Sequence, residues 1–120
     1  MMWYIPAVLL TVGIAIVSLW ENPHLPPSLA MSDKFIHGVM YALLAITWIA
    51  PLAHRKPARV SPYIYVCLFV TMYGALIEIL QRFCTLTRSG EMADLLADFI
   101  GALIGVLLIA VWRSLSTILR

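Results

Sequence analysis

His37, Glu78, Asp33 and Asp94 are the side chains best suited to acid–base chemistry in this chain of 120 residues. An imidazole exchanges protons near neutral pH, and a carboxylate one helical turn away, as Asp33 is from His37, can orient it. A glutamic acid among apolar residues, as Glu78 is, can serve as a second acid or base. Other groups are suited to holding a ligand. Lys34 and Arg88 can grip a phosphate or pyrophosphate, and Tyr41, Gln81 and Asp98 offer further polar contacts. The first four residues are therefore candidates for catalysis and the last five for binding. A hydroxyl, a phosphoester or a glycosidic bond would suit such a set. No serine elbow, Walker loop or dinucleotide fingerprint occurs. The His, Asp and Glu groups come from separate segments without a short ligand spacing, so no metal site is assigned and no cofactor is expected.

The elements that position these groups follow from composition. Hydrophobic residues make up 62% of the chain and charged residues only 12%, against roughly 25% charged in soluble domains. The mean hydropathy is +0.95. A chain this short cannot hide so many apolar side chains in one water-soluble core, so a membrane protein is expected. A net charge of +2, without a basic stripe interleaved with aromatics, argues against nucleic acid as a partner. Cys67 and Cys84 fall within or just after one helical segment, roughly 25 Å apart at 1.5 Å per residue, too far for a disulfide.

Four apolar segments are legible, at about 3–20, 33–52, 62–83 and 91–112, joined by short loops into a single domain over residues 1–120. The first is uncharged and flanked by Trp3, Tyr4 and Trp20, which suit the two membrane interfaces. It lacks the basic start of a signal peptide and is expected to remain as a span. Three prolines in residues 21–31 keep that loop from helix. Ser32 is the expected N-cap of the second helix, which should stop near Pro51. Ser61 and Pro62 repeat the start signal as N-cap and first helical residue. The fourth segment opens with Glu91 and Asp94 in its acid-favouring first turn. The expected fold is thus an all-α bundle of four transmembrane helices.

Orientation comes from the basic residues, which concentrate in cytoplasmic loops. Arg55, Lys56, Arg59, Arg113 and Arg120 share one side, leaving Lys34, Arg82 and Arg88 of the eight Lys and Arg on the other. Both termini are therefore expected in the cytoplasm. Asp33, Lys34, His37, Glu78, Gln81, Arg88, Asp94 and Asp98 then gather at the extracytoplasmic end. At 100° per residue, Asp33, His37 and Tyr41 form one column. Thr71, Gly74, Glu78 and Gln81 share a face of the third helix, and Asp94, Asp98, Gly101 and Gly105 a face of the fourth. Gly101 and Gly105 make a GxxxG step that lets helices approach closely. Polar groups confined to one side leave no midplane site for transport.

These residues also compose a pattern. It runs D-K-x-x-H-x-x-x-Y from Asp33 to Tyr41, then Y-G-x-x-I-E-x-x-Q from Tyr73 to Gln81. Arg88 follows, and then Asp94, Ala97, Asp98, Gly101 and Gly105 at spacings of three, one, three and four. In this the chain resembles the VanZ-like family of small bacterial membrane proteins, over about residues 32–105. The resemblance implies a helical bundle of the bacterial cytoplasmic membrane and an association with the cell envelope. The family takes its name from an accessory role in resistance to the glycopeptide teicoplanin. Asp98 stands where the family usually has Asn, and Glu91 where a small or neutral residue is commoner, so this chain is the more acidic.

Three functions compete on this basis. One is recognition of an envelope lipid, a lipid-linked precursor or a glycopeptide. Another is a membrane hydrolase or transferase acting on a lipid-linked phosphate, with His37 and Glu78 as acid–base groups. The third is a structural cluster, paired as Asp33–Arg88, Lys34–Glu78 or His37–Asp94, that only locks the helices together. Since unpaired charges in a membrane are costly, some pairing is expected in every case.

Overall fold

The computed structural model describes residues 1–20, 30–55, 59–86 and 90–120, the side chains of 30–32 and 55 excepted. A 3₁₀ turn, Met2–Tyr4, leads into α1 (Ile5–Leu19); α2 is Ala30–Arg55, α3 Ser61–Cys84 and α4 Met92–Ile118. All four are long and apolar enough to cross a membrane. Leu9, Val12 and Ile16 of α1, Leu68, Met72 and Ile79 of α3, and Leu107 and Leu108 of α4 all lie exposed on the outer surface. Apolar area on that scale is covered in water only by a partner or a lipid phase. With four spanning helices, the protein is a multi-pass membrane protein.

Inward faces follow the helical period. On α4 the buried residues are Asp94, Asp98, Gly101, Ala102, Gly105 and Val106. On α3 they are Val66, Cys67, Val70, Gly74, Ile77, Glu78 and Gln81. Each face changes character along its length, apolar at one end and polar at the other.

The closest pairing joins α2 to α4. A methyl group placed on Gly101 would fall on the backbone carbonyl of Gly38, and one on Gly105 on that of Ala42. Backbone approach at this separation suits helices in lipid, where dispersion contacts replace the hydrophobic effect as the source of adhesion. Gly74 serves another purpose. A Cβ there would stand 2.7 Å from Asp98 Oδ2 and 2.9 Å from Tyr41 Cε1, so its missing side chain is the space those two groups occupy.

α1 lies at the edge and is tied on by polar contacts. Gln81 Nε2 donates to the Ser18 carbonyl at 2.8 Å, and the Tyr73 hydroxyl to the Thr11 carbonyl at 2.5 Å. Trp48 Nε1 adds a longer bond to Thr11 Oγ1 at 3.3 Å. Interhelical bonds of this kind contribute about 0.6 kcal/mol on average in membranes. Both cysteines are free, Cys67 buried and Cys84 exposed.

Helix ends depart from expectation at four places. α2 begins at Ala30, which puts Ser32 inside the helix rather than at its cap. It also continues through Pro51 to Arg55. Proline removes one backbone donor, a loss that a membrane helix packed on its neighbours absorbs, and Pro51 is buried against the bundle. α3 has Val60 as N-cap, with Ser61 already helical and making no cap bond. α4 runs past residue 112 to Ile118, through the polar turn containing Arg113 and Ser114. His54, Arg113 and Arg120 line a cleft between α2 and α4 at this end, opposite the acids.

Candidate functional site

The acids meet where the N-terminal turns of α2 and α4 lie beside the C-terminal turns of α3. His37 is at the centre, 3% exposed. Its Nδ1 lies 2.9 Å from Asp98 Oδ1 and 3.9 Å from Glu78 Oε1, and its Nε2 4.0 Å from Asp33 Oδ2. With Asp98 ionised, its carboxylate can only accept, and Nδ1 then carries the proton it donates. Tyr41, one turn further along α2, stacks on the imidazole with an interplanar angle of 5°.

Above this buried layer is a partly exposed rim. Lys34 Nζ reaches Glu91 Oε2 at 3.3 Å and Asp94 Oδ1 at 3.5 Å. The Glu91 backbone N–H donates to Glu78 Oε2 at 3.0 Å, which ties the start of α4 to α3. At Gly90 the chain passes so close to the Glu78 carbonyl that a side chain there would collide with it.

The structural pairings differ from those expected. Lys34 pairs with Glu91 and Asp94 in place of Glu78, because Glu78 lies a layer deeper and has turned to the Glu91 amide. His37 takes Asp98 in place of Asp94 as its close partner. Gln81 is 2% exposed and donates to α1, so it joins helices and does not face the rim. Arg88, and with it the Asp33–Arg88 pair, lies outside the described residues, as does Lys56.

Three contributors went unassigned in the sequence. Glu91 supplies both a rim carboxylate and an amide, Gly38 the backbone under Gly101, and Ser18 the carbonyl for Gln81. Gly38 and Ala42, one turn apart, carry the signal for theirs, a small-xxx-small step on α2. Nothing local marks Ser18, whose role depends on where α1 docks.

The cluster is rich in acceptors. Five carboxylates, Asp33, Glu78, Glu91, Asp94 and Asp98, face one lysine and one histidine among the described residues. Glu78 Oε1, Asp98 Oδ2, Asp94 Oδ1 and the Tyr41 hydroxyl are buried without a hydrogen bond, although Lys34 stands near Asp94 Oδ1. Buried polar atoms seldom go unpaired. Two triplets, Asp33–His37–Asp94 and His37–Glu78–Asp98, bring one ligand-type atom from each residue within 4.8 Å of one another.

Fold and cluster together define a four-helix membrane protein with a buried polar cluster at one end of the bundle. A family model described as VanZ/LLP1 matches residues 5–113, most of the chain, and the protein belongs to that family. No curated protein and no solved structure matches it.

Proposed function

We propose that the polar end faces the outside of the bacterial cytoplasmic membrane and recognises the polar part of an envelope molecule. An envelope lipid, a lipid-linked precursor or a glycopeptide fits this reading. The observation that carries it is a half-open rim, with the side chains of Asp33, Lys34 and Glu91 at 45%, 38% and 52% exposure, over acceptors that have no donor among the described residues. Such a surface suits a ligand rich in hydroxyl and ammonium groups more than a bare phosphate. At the end of a membrane bundle, it meets lipid headgroups at their own depth. An effect on teicoplanin susceptibility, in keeping with the family, follows if the ligand is the antibiotic or its target.

Native mass spectrometry of the detergent-purified protein, with a lipid-linked cell-wall precursor and teicoplanin as separate probes, tests the reading. The expected result is a 1:1 adduct with one of them, weakened at least roughly tenfold by Lys34→Gln or Asp94→Asn, a hydrogen-bond-sized loss. A folded protein that takes up neither probe sinks the proposal.

A catalytic reading is favoured by one feature, the 2.9 Å contact of His37 with Asp98 beside Glu78. Its mark would be a change in the mass of the precursor, lost in His37→Gln. The orientation is checked separately. Exposed Cys84, at the polar end, should react with a membrane-impermeant maleimide added to intact cells. A cysteine at Thr117 in a Cys84→Ser background should react only after lysis. The opposite pattern would place the site in the cytoplasm.

A further inference from the structure

We propose that His37, Glu78 and Asp98 hold a divalent metal ion of the zinc class, through Nδ1 and one oxygen of each carboxylate. This goes beyond the headgroup reading and does not rest on it, since these groups lie beneath the rim. Three helices supply the ligands: α2, α4 and the end of α3.

The distances suit an ion. Nδ1 stands 2.9 Å from Asp98 Oδ1 and 3.9 Å from Glu78 Oε1. Donors about 2.0–2.2 Å from a tetrahedral zinc stand roughly 3.4 Å from one another, between those two values. A metal would replace the proton on Nδ1, with the three ligand atoms, already within 4.8 Å of one another, drawn to its coordination distances.

Burial makes the need for a cation acute. Glu78 is 7% exposed and Asp98 fully enclosed, yet among the described residues Glu78 Oε1 and Asp98 Oδ2 have no hydrogen bond. The Tyr41 hydroxyl, also enclosed and unpaired, belongs to the ring stacked on His37. Two carboxylates taken out of water beside one imidazole are compensated far better by a doubly charged ion than by a single proton.

Outer groups stand close by. Metal-bound histidine almost always donates its second N–H to a carboxylate, a backbone carbonyl or water, and Asp33 Oδ2 lies 4.0 Å from His37 Nε2, beyond a direct hydrogen bond but on the same side. The free oxygen of Glu78 is held by the Glu91 amide at 3.0 Å, which leaves Oε1 for the ion. The alternative triplet with Asp33 and Asp94 is weaker, because Asp33 is 45% exposed and Asp94 already pairs with Lys34. One imidazole with two carboxylates suits Zn²⁺ or Mn²⁺, with no thiolate to select softer ions.

The test uses the full chain purified without a polyhistidine tag, stripped with a chelator and titrated with Zn²⁺. The expected result is one ion per chain by elemental analysis and a raised unfolding temperature. Asp98→Asn and Glu78→Gln should weaken zinc by roughly a hundredfold, the upper end of losses seen on removing an outer-shell partner. Ser114→Ala, at the opposite end of the bundle, should bind as the wild type does. If a ligand variant fails to fold, Co²⁺ in the wild type decides. Visible bands of a four- or five-coordinate site support the proposal, and the spectrum of hydrated cobalt overturns it. Zinc below one equivalent, or binding unchanged in folded Asp98→Asn and Glu78→Gln, also overturns it.

Discussion

Gly101→Val is expected to dismantle the bundle, whereas Gly38→Ala, directly across the same contact, is expected to be tolerated. The asymmetry is geometric. A Cβ on Gly101 meets the Gly38 backbone, carbonyl and Cα together, and backbone cannot rotate aside as a side chain can. A Cβ on Gly38 meets only the Ala97 carbonyl, at an ordinary 3.8 Å. Overpacking a rigid contact costs about 1–3 kcal/mol and more where nothing yields, a large part of the 5–15 kcal/mol that holds a typical domain together. Valine adds two further methyls to the clash, so Gly101→Ala should be milder than Gly101→Val. A methyl group added at Gly13 would have nothing within 4 Å, which makes Gly13→Ala the neutral control. Unfolding by sodium dodecyl sulfate in mixed micelles, followed by circular dichroism, ranks the four. Gly38→Ala as damaging as Gly101→Val would show that the two helices do not meet in this register.

His37→Leu is expected to be as damaging by another route. It leaves Asp98 fully enclosed without its imidazole partner, and Glu78 nearly enclosed with only the Glu91 amide, among the described residues, as a donor. Removing one partner of a buried ion pair costs about 3–5 kcal/mol, while replacing both by apolar groups is often close to neutral. The double variant His37→Leu, Asp98→Leu should therefore be more stable than His37→Leu alone, although it carries one more change. A cycle of the two single variants and the double, measured in chelator-treated micelles, gives the coupling directly. A coupling of about 0.5–3 kcal/mol is the range for residues in contact. Additive losses would mean that His37 and Asp98 do not interact.

Much of this was legible in the residues because helix periodicity and membrane length are both local signals. The four spans, the inward stripe of Asp94, Asp98, Gly101 and Gly105, and the column of Asp33, His37 and Tyr41 all follow from spacing on single helices. Pairing between helices was another matter. Whether His37 reaches Asp94 or Asp98 depends on a rise of one turn between α2 and α4, about 5.4 Å, and the register is set by Gly38 beneath Gly101. Gln81 looked like a ligand contact because it is polar and lies one turn from Glu78. Only the docking of α1 shows that its amide is already committed to Ser18. Cap positions failed at Ser32 and Ser61 for a simpler reason. α2 starts three residues early and α3 one residue early, and no cap bond from Ser61 or Val60 marks the start of α3.

The closest helix pair in the bundle joins α2 to α4, with all of α3 between them along the chain. A ribosome delivers these segments in order, so His37 and Glu78 enter the bilayer before Asp98 exists to meet them. Until the last helix arrives, the nascent protein is a three-helix intermediate with an open polar seam and no Gly101 to close it. Assembly therefore finishes in one late step, and a chain truncated anywhere before residue 98 would present that seam to the surveillance proteases of the membrane.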